Sequence, residues 1–117
     1  MGLDMLRGEI YSVDLGKGRG RERIGKHFAV VVSDDFSNSL QWTIVIVPGV
    51  DVSHSPQLRS GVLILAFESG IPVDIRFFPI HIRSVDFSRF PAQPIGLVPP
   101  ARMVDLDAAL KNQLDLR

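Results

Sequence analysis

Cysteine is absent from the 117 residues, and tryptophan and tyrosine occur once each. The chain therefore has no disulfide scaffold, no thiol nucleophile, and no cysteine-ligated zinc or iron–sulfur site. Histidine occurs only three times, at His27, His54 and His81, so few ligands exist for a histidine-based metal site. We expect no metal and no other cofactor.

An excess of charge of either sign is also absent, because 13 basic residues balance 13 acidic ones. This excludes binding to nucleic acid through net charge alone, but it leaves room for a local basic patch. The longest apolar runs, 43–47 and 62–67, are far shorter than the roughly 20 residues that cross a bilayer. No apolar signal-peptide region follows the N-terminus. The composition predicts one small cytoplasmic domain over residues 1–117.

Short strand signals fill most of the chain. Glu9 to Leu15 alternates in the manner of a half-buried strand. Further strands are predicted at 28–33, 41–47, 62–67 and 80–85. Asp34 to Ser39 has the chemistry of a turn, and Pro72 and Pro79 limit any strand within 71–79 to an edge or a bulge.

The periodicity changes after Pro99 and Pro100. From Ala101 apolar residues recur at spacings of three and four, which predicts an amphipathic helix of about four turns. Its predicted apolar stripe comprises Met103, Val104, Leu106, Ala108, Leu110 and Leu114. Strands without alternating helices predict a mainly β fold with a C-terminal helix, in which the helix covers one opening of a small antiparallel barrel or curled sheet.

A glycine-rich basic loop, GKGRGRERIGK, covers Gly16 to Lys26. Its cations are Lys17, Arg19, Arg21, Arg23 and Lys26, and its one acid is Glu22. Arginines of this kind bind phosphate through charge-assisted bonds, and glycines let the backbone approach a polyanion. The alternative is a solvated hairpin loop. The loop is not a P-loop, because no GK[ST] follows the glycines and no helix comes next.

Two histidines are candidates for proton transfer, because imidazole serves as acid or base near neutral pH. His27 joins the basic loop to the following strand. His81 shares a face with Arg83 if the strand over 80–85 is regular. A structural or exposed histidine is the alternative at both positions.

Five segments together resemble the MazF/PemK family of toxin endoribonucleases. They are RGEIYSVDL, RGRERIGKHFAVVVS, TIVIVPGV, IRSVD and IGLVPPARMVDLDAALKNQLDL, and they follow the family's order from Leu6 to Leu116. The resemblance implies an SH3-like or CcdB-like barrel that pairs as a homodimer. It also implies metal-independent cleavage of single-stranded RNA, and neutralisation by a cognate antitoxin that lays an extended, acidic segment across the substrate groove.

The resemblance implies a transesterification, in which a base takes the ribose 2′-OH proton and a cation stabilises the charge that develops on the phosphate. The family's acidic residue near the first loop matches Glu22. Its catalytic arginine falls on His27 and the next proline on Phe28. Its threonine or serine at the end of the third strand falls on Val50, with Ser53 three residues on.

Before the IRSVD segment, the family's acid and glutamine fall on Ile80 and His81, whereas Arg83 and Asp86 match. The implied catalytic residues are thus Glu22, His27, His81 and Arg83, with the two imidazoles as base and acid. The implied RNA-binding residues are Lys17, Arg19, Arg21, Arg23, Lys26 and Ser53. The alternative function is a diverged interaction protein on the same fold, either an RNA binder without turnover or a CcdB-like poison of DNA gyrase.

Overall fold

The computed structural model describes residues 5–16, 25–40, 42–54 and 61–116. Within them the chain forms seven strands and three α-helices. The strands are β1 (Glu9–Asp14), β2 (Lys26–Val31), β3 (Thr43–Asp51), β4 (Val62–Ile64), β5 (Ile75–Phe77), β6 (Arg83–Asp86) and β7 (Gly96–Leu97). The helices are α1 (Asp35–Leu40), α2 (Ala66–Ser69) and α3 (Pro100–Gln113), and 3₁₀ turns cover Val52–His54, Pro79–His81 and Phe87–Arg89.

The strands form one antiparallel sheet in the order β4-β5-β3-β2-β1-β7, curled into a half-barrel. The long strand β3 has partners on both edges. One edge pairs with β2, and the other pairs with β5 at Gly49–Asp51 and with β6 at 43–46. The predicted mainly β fold with a C-terminal helix is confirmed.

The prediction that 71–79 could form only an edge strand or a bulge is wrong, because β5 lies inside the sheet between β4 and β3. Both prolines fall outside it, so the residues of Ile75–Phe77 keep the backbone N–H groups that a central strand needs. The continuous strands predicted at 62–67 and 80–85 are also too long. The first ends at Ile64 and turns into α2, and a 3₁₀ turn over Pro79–His81 precedes β6.

Side chains are buried on both faces of the sheet. The first core lies under α3 and contains Ile10, Val30, Val47, Ile64, Ile71, Ile75, Phe77, Val98, Leu106 and Leu110. The second core lies on the other face and contains Met5, Tyr11, Val13, Leu15, Ala29, Val31, Ile44, Ile46 and Val85. Neighbours along a strand therefore belong to different cores, so the face on which each site residue lies is fixed.

The predicted C-terminal helix is confirmed, but its buried stripe is narrower than expected. Leu106 and Leu110 pack into the first core, whereas Val104 is 67% exposed and Ala108 is exposed. Each of these two lies two positions from Leu106, about 200° around a helix with 3.6 residues per turn, so both point away from the sheet. Among the described residues, α3 is the longest helix, and none is long and apolar enough to span a membrane.

The turn expected at Asp34 to Ser39 is a short helix, α1. The carboxylate of Asp34 accepts hydrogen bonds from the N–H and the hydroxyl of Ser37, at 3.0 Å and 2.7 Å. These bonds lower the pKa of the Asp34 carboxyl. The buried Asn38 donates to the carbonyls of Met5 and Ser33, which fixes the helix against the N-terminal segment.

Candidate active site

The β1–β2 hairpin places Lys26 and His27 at one end of the sheet. Its strands are closed by backbone bonds from Leu15 to the carbonyl of Gly25 (2.8 Å) and from Gly25 to that of Gly16 (3.0 Å). Both glycines have positive φ, 71° and 75°, which suits the sharp exit from each strand. The other predicted loop residues, Lys17, Arg19, Arg21, Glu22 and Arg23, lie outside the described residues, so their roles stay predictions.

A cleft of about 370 Å³ opens beside Lys26 and His27. It is lined by residues of three adjacent strands: Ser12, Lys26, His27, Phe28, Gly49, Val50 and Asp51. Ser12 lies directly opposite Phe28, and Phe28 opposite Gly49, so these three residues share one face. The residues that border the cleft thus include a lysine, a histidine, a serine and an aspartate, and they come from both faces of the sheet.

His27 lies on the other face of the sheet, the face of the second core. It stands opposite the fully buried Val13, so the two side chains share that face. Continuing the β2–β3 register by one residue places His27 beside Val50. The half-buried imidazole therefore stands where the second core ends and solvent begins.

Ser53 lies just beyond β3, in the 3₁₀ turn after Asp51. Its hydroxyl and its N–H both donate to Oδ1 of Asp51, at 2.7 Å and 2.8 Å. Because Asp51 lines the cleft, this predicted RNA-binding serine is held at the cleft rim. The same bonds orient the Asp51 carboxylate, whose negative charge would repel a phosphate that approached the cleft beside it.

His81 and Arg83 are not among the residues that border the cleft. The expectation that they share the face of a regular strand is wrong, because β6 begins at Arg83 and His81 belongs to the preceding 3₁₀ turn. The ring centroids of His81 and Phe78 are 6.3 Å apart, and the turn contacts α3. The strand breaks here because Phe78 donates to Pro48 and the next residue is a proline, which cannot donate.

Arg83 lies opposite Ile46 on the face of the second core, which is also the face of His27. It is two strands and four residue positions away from His27, on the order of 15 Å at ordinary strand spacing and rise. Asp86, which matches the family pattern, accepts a hydrogen bond from the N–H of Ser88 at 2.9 Å. Hydrogen bonds from the Ser88 hydroxyl and N–H lower the pKa of Asp86, so its position in the structure is that of a cap.

Arg76 is a cation near His27 that sequence reasoning missed. It lies on β5 opposite Val50, the residue beside His27. Its two neighbours, Ile75 and Phe77, are fully buried in the first core, so Arg76 faces the other way. The alternation of apolar and basic residues in Ile75–Phe77 was the available signal, and the flanking prolines obscured it.

Metal ligands are not grouped in the described part of the chain, where no three histidine, aspartate or glutamate residues could hold an ion together.

The chain is similar in sequence to known proteins. Residues 6–114 match the family of PemK-like, MazF-like toxins of type II toxin–antitoxin systems. A protein named endoribonuclease MazF9, from Mycobacterium tuberculosis, is 38% identical over an alignment that covers 96% of this chain and 98% of the relative.

Solved structures show the same fold. A crystal structure of MazF from Deinococcus radiodurans superimposes with a TM-score of 0.80 at 18% identity and covers 97% of this chain and 98% of its own. A mycobacterial endoribonuclease in complex with its cognate antitoxin gives 0.73 at 22% identity and covers 97% and 95%. Together with the match over nearly the whole sequence, these likenesses confirm the resemblance, and the chain belongs to the PemK-like, MazF-like family of type II toxins.

Proposed function

We infer that the chain is an endoribonuclease, the toxin of a type II toxin–antitoxin pair, and we propose that it cleaves single-stranded RNA at short sequences. The observation that carries this is the 38% identity, over 96% of the chain, to a protein named endoribonuclease. The half-buried His27 and the exposed Lys26, consecutive residues of β2 that both border the cleft, support the proposal.

The proposed reaction needs no metal. A base removes the proton of a ribose 2′-OH, the oxygen bonds to the adjacent phosphorus, and the bond from phosphorus to the 5′ oxygen breaks. The leaving oxygen takes up a proton, which gives a 2′,3′-cyclic phosphate and a 5′-OH. A positioned cation stabilises the charge on the phosphate oxygens in the transition state.

His27 is the proposed base, because it is the histidine among the described residues that border the cleft. Lys26, Ser53 and the loop residues Lys17, Arg19, Arg21 and Arg23 are proposed to bind the RNA. His81 as the acid, with Glu22 and Arg83 as further catalytic residues, is also proposed. In the structure His81 is not on the sheet face of His27, so replacing it is the decisive test of its role: undiminished cleavage by His81→Ala removes it from the mechanism.

The proposed partners are a second copy of the chain and a cognate antitoxin, with action in the cytoplasm. An apolar surface suited to a two-fold pair surrounds α1, where Phe36 is 74%, Leu40 57% and Trp42 58% exposed. The antitoxin segment is expected to be acidic, because it must cover Lys26 and the basic loop.

Induced expression followed by mapping of RNA ends tests the proposed function. We expect growth arrest together with fragments of single-stranded RNA that carry 5′-OH ends. Purified protein should cut the same RNA in the presence of a chelator. Growth arrest with intact RNA and damaged DNA would instead support the gyrase alternative.

A further inference from the structure

We propose that Arg76 is a catalytic residue of this nuclease, whose guanidinium binds the phosphate that is cleaved. This inference rests on the proposed function, and it adds a residue that neither the basic loop nor the family pattern supplies.

The strand register places Arg76 in one row with His27. Arg76 lies directly opposite Val50 of β3. The β2–β3 register, continued by one residue beyond the pair of Phe28 and Gly49, places His27 on the other side of Val50. Directly opposed residues of an antiparallel pair project from the same face. An arginine and a histidine thus stand on either side of one valine, about 10 Å apart at two strand spacings.

The stem of Arg76 is held by its surroundings. Ile75 and Phe77 are fully buried, so the strand cannot rotate without exposing them. The Nε atom of Arg76 is shut off from solvent. Gly61 approaches so closely that a Cβ there would lie 3.3 Å from Cγ of Arg76. A cation held in this way needs little rearrangement when charge develops on a substrate, which is the condition for electrostatic catalysis.

Arginine is the side chain whose planar fork matches the oxygens of a phosphate. A phosphodiester lying over Val50 would have the imidazole of His27 on one side, within reach of the ribose, and the guanidinium on the other. The side chain of Val50 offers no hydrogen bond, so Arg76 is the residue of this row that donates to the phosphate oxygens. Arg83 shares this face but lies opposite Ile46, which precedes Val50 by four positions in β3.

The test compares Arg76→Gln with Arg102→Gln. Arg102 is a matched control because it lies on α3 and pairs with Asp105 at 2.8 Å, away from the cleft. With a single-stranded RNA oligonucleotide cut by the wild type, Arg76→Gln should lower kcat by about 10²–10³-fold with little change in KM. Arg102→Gln should cleave within about two-fold of the wild type, because the half-buried Arg102 pairs with Glu68 and Asp105 and is not among the residues that border the cleft.

A substrate in which sulfur replaces one non-bridging oxygen of the cleaved phosphate tests whether Arg76 contacts that phosphate or only supports the fold. The wild type should discriminate between the two sulfur diastereomers, and Arg76→Gln should lose that discrimination. Arg76→Lys keeps the charge and most of the stem; it should melt with the wild type and still lose at least about ten-fold in kcat.

Each failure has a distinct signature. Cleavage by Arg76→Gln at the wild-type rate, or an unchanged preference for one diastereomer, overturns the role of Arg76 while the nuclease function stands. A wild-type protein that cleaves no RNA overturns the proposed function, and the inference with it.

Discussion

Arg7 and Asp107, 100 residues apart in sequence, are joined by a two-pronged contact between guanidinium and carboxylate. Nη1 of Arg7 donates to Oδ2 of Asp107 at 3.3 Å, and Nη2 donates to Oδ1. The third donor, Nε, bonds to the carbonyl of Val32 at 2.8 Å. One side chain therefore ties the N-terminal segment to both the end of β2 and the C-terminal helix.

A double-mutant cycle with Arg7→Ala and Asp107→Ala should give a coupling free energy of about 0.5–1 kcal/mol, because both side chains remain partly exposed. The Arg102–Asp105 pair, one turn apart on α3, is the control and should give about 0.2–0.5 kcal/mol. Denaturant unfolding measures both. Equal values for the two pairs would mean that the fork to Asp107 adds nothing beyond an ordinary helix pair.

Leu106 should contribute more to stability than any exposed position of α3. It is fully buried in the first core, so Leu106→Ala should lower the free energy of unfolding by about 2–5 kcal/mol. Val104→Ala, at a side chain that is 67% exposed on the same helix, should change it by no more than about 0.5 kcal/mol. Similar losses at the two positions would contradict the packing of α3 on the sheet.

Asp34 should make stability depend on pH on the acid side. Its pKa is lowered in the folded state by hydrogen bonds from Ser37. This contribution is present above the ordinary value of 3.8 and is lost as the pH falls through the folded-state pKa. The unfolding free energies of wild type and Asp34→Ala should thus differ at neutral pH and converge in acid.

The control for that measurement is Asp34→Asn. Asparagine caps a helix about as well as aspartate but does not titrate. Its stability relative to Asp34→Ala should therefore stay constant with pH. If the difference in unfolding free energy between the wild type and Asp34→Ala stayed the same in acid, the charge of the carboxylate would not contribute to stability.

His27 should be essential for cleavage. Loss of a general base typically costs about 10²–10⁴-fold in rate, so His27→Ala should lower kcat within that range. His54→Ala, which changes the last residue of the 3₁₀ turn Val52–His54, is the control. Equal cleavage by the two variants would exclude His27 as the base.

The sequence predicted the elements whose signal is local. β1, β2, β3 and α3 were expected from alternation, from β-branched runs and from spacings of three and four. Helix α1 was missed because the aspartate and serine that cap it are also the residues that form turns. The break before β6 was missed because the alternation of Ile80 and Ile82 continues through the turn.

The candidate site was predictable only in part. His27 and Lys26 could be placed because they follow the hairpin loop directly. The position of Arg76 near His27 could not be predicted, because it depends on the pairing of Arg76 with Val50, a residue 26 positions earlier. Neither segment alone determines which residues of the two strands pair. The resemblance to a family suggested roles for Glu22, His27, His81 and Arg83, and it suggested none for Arg76.

The single strand β3 holds two otherwise separate pieces of the sheet together. On its outer edge β5 and β6 meet it at opposite ends and do not continue into each other across 78–82. Strand β5, which carries Arg76, can thus separate from β3 while β6, which carries Arg83, stays paired with it. Amide hydrogens of β5 should accordingly exchange with solvent through a local opening, at a lower free energy than those of β2 and of the first half of β3.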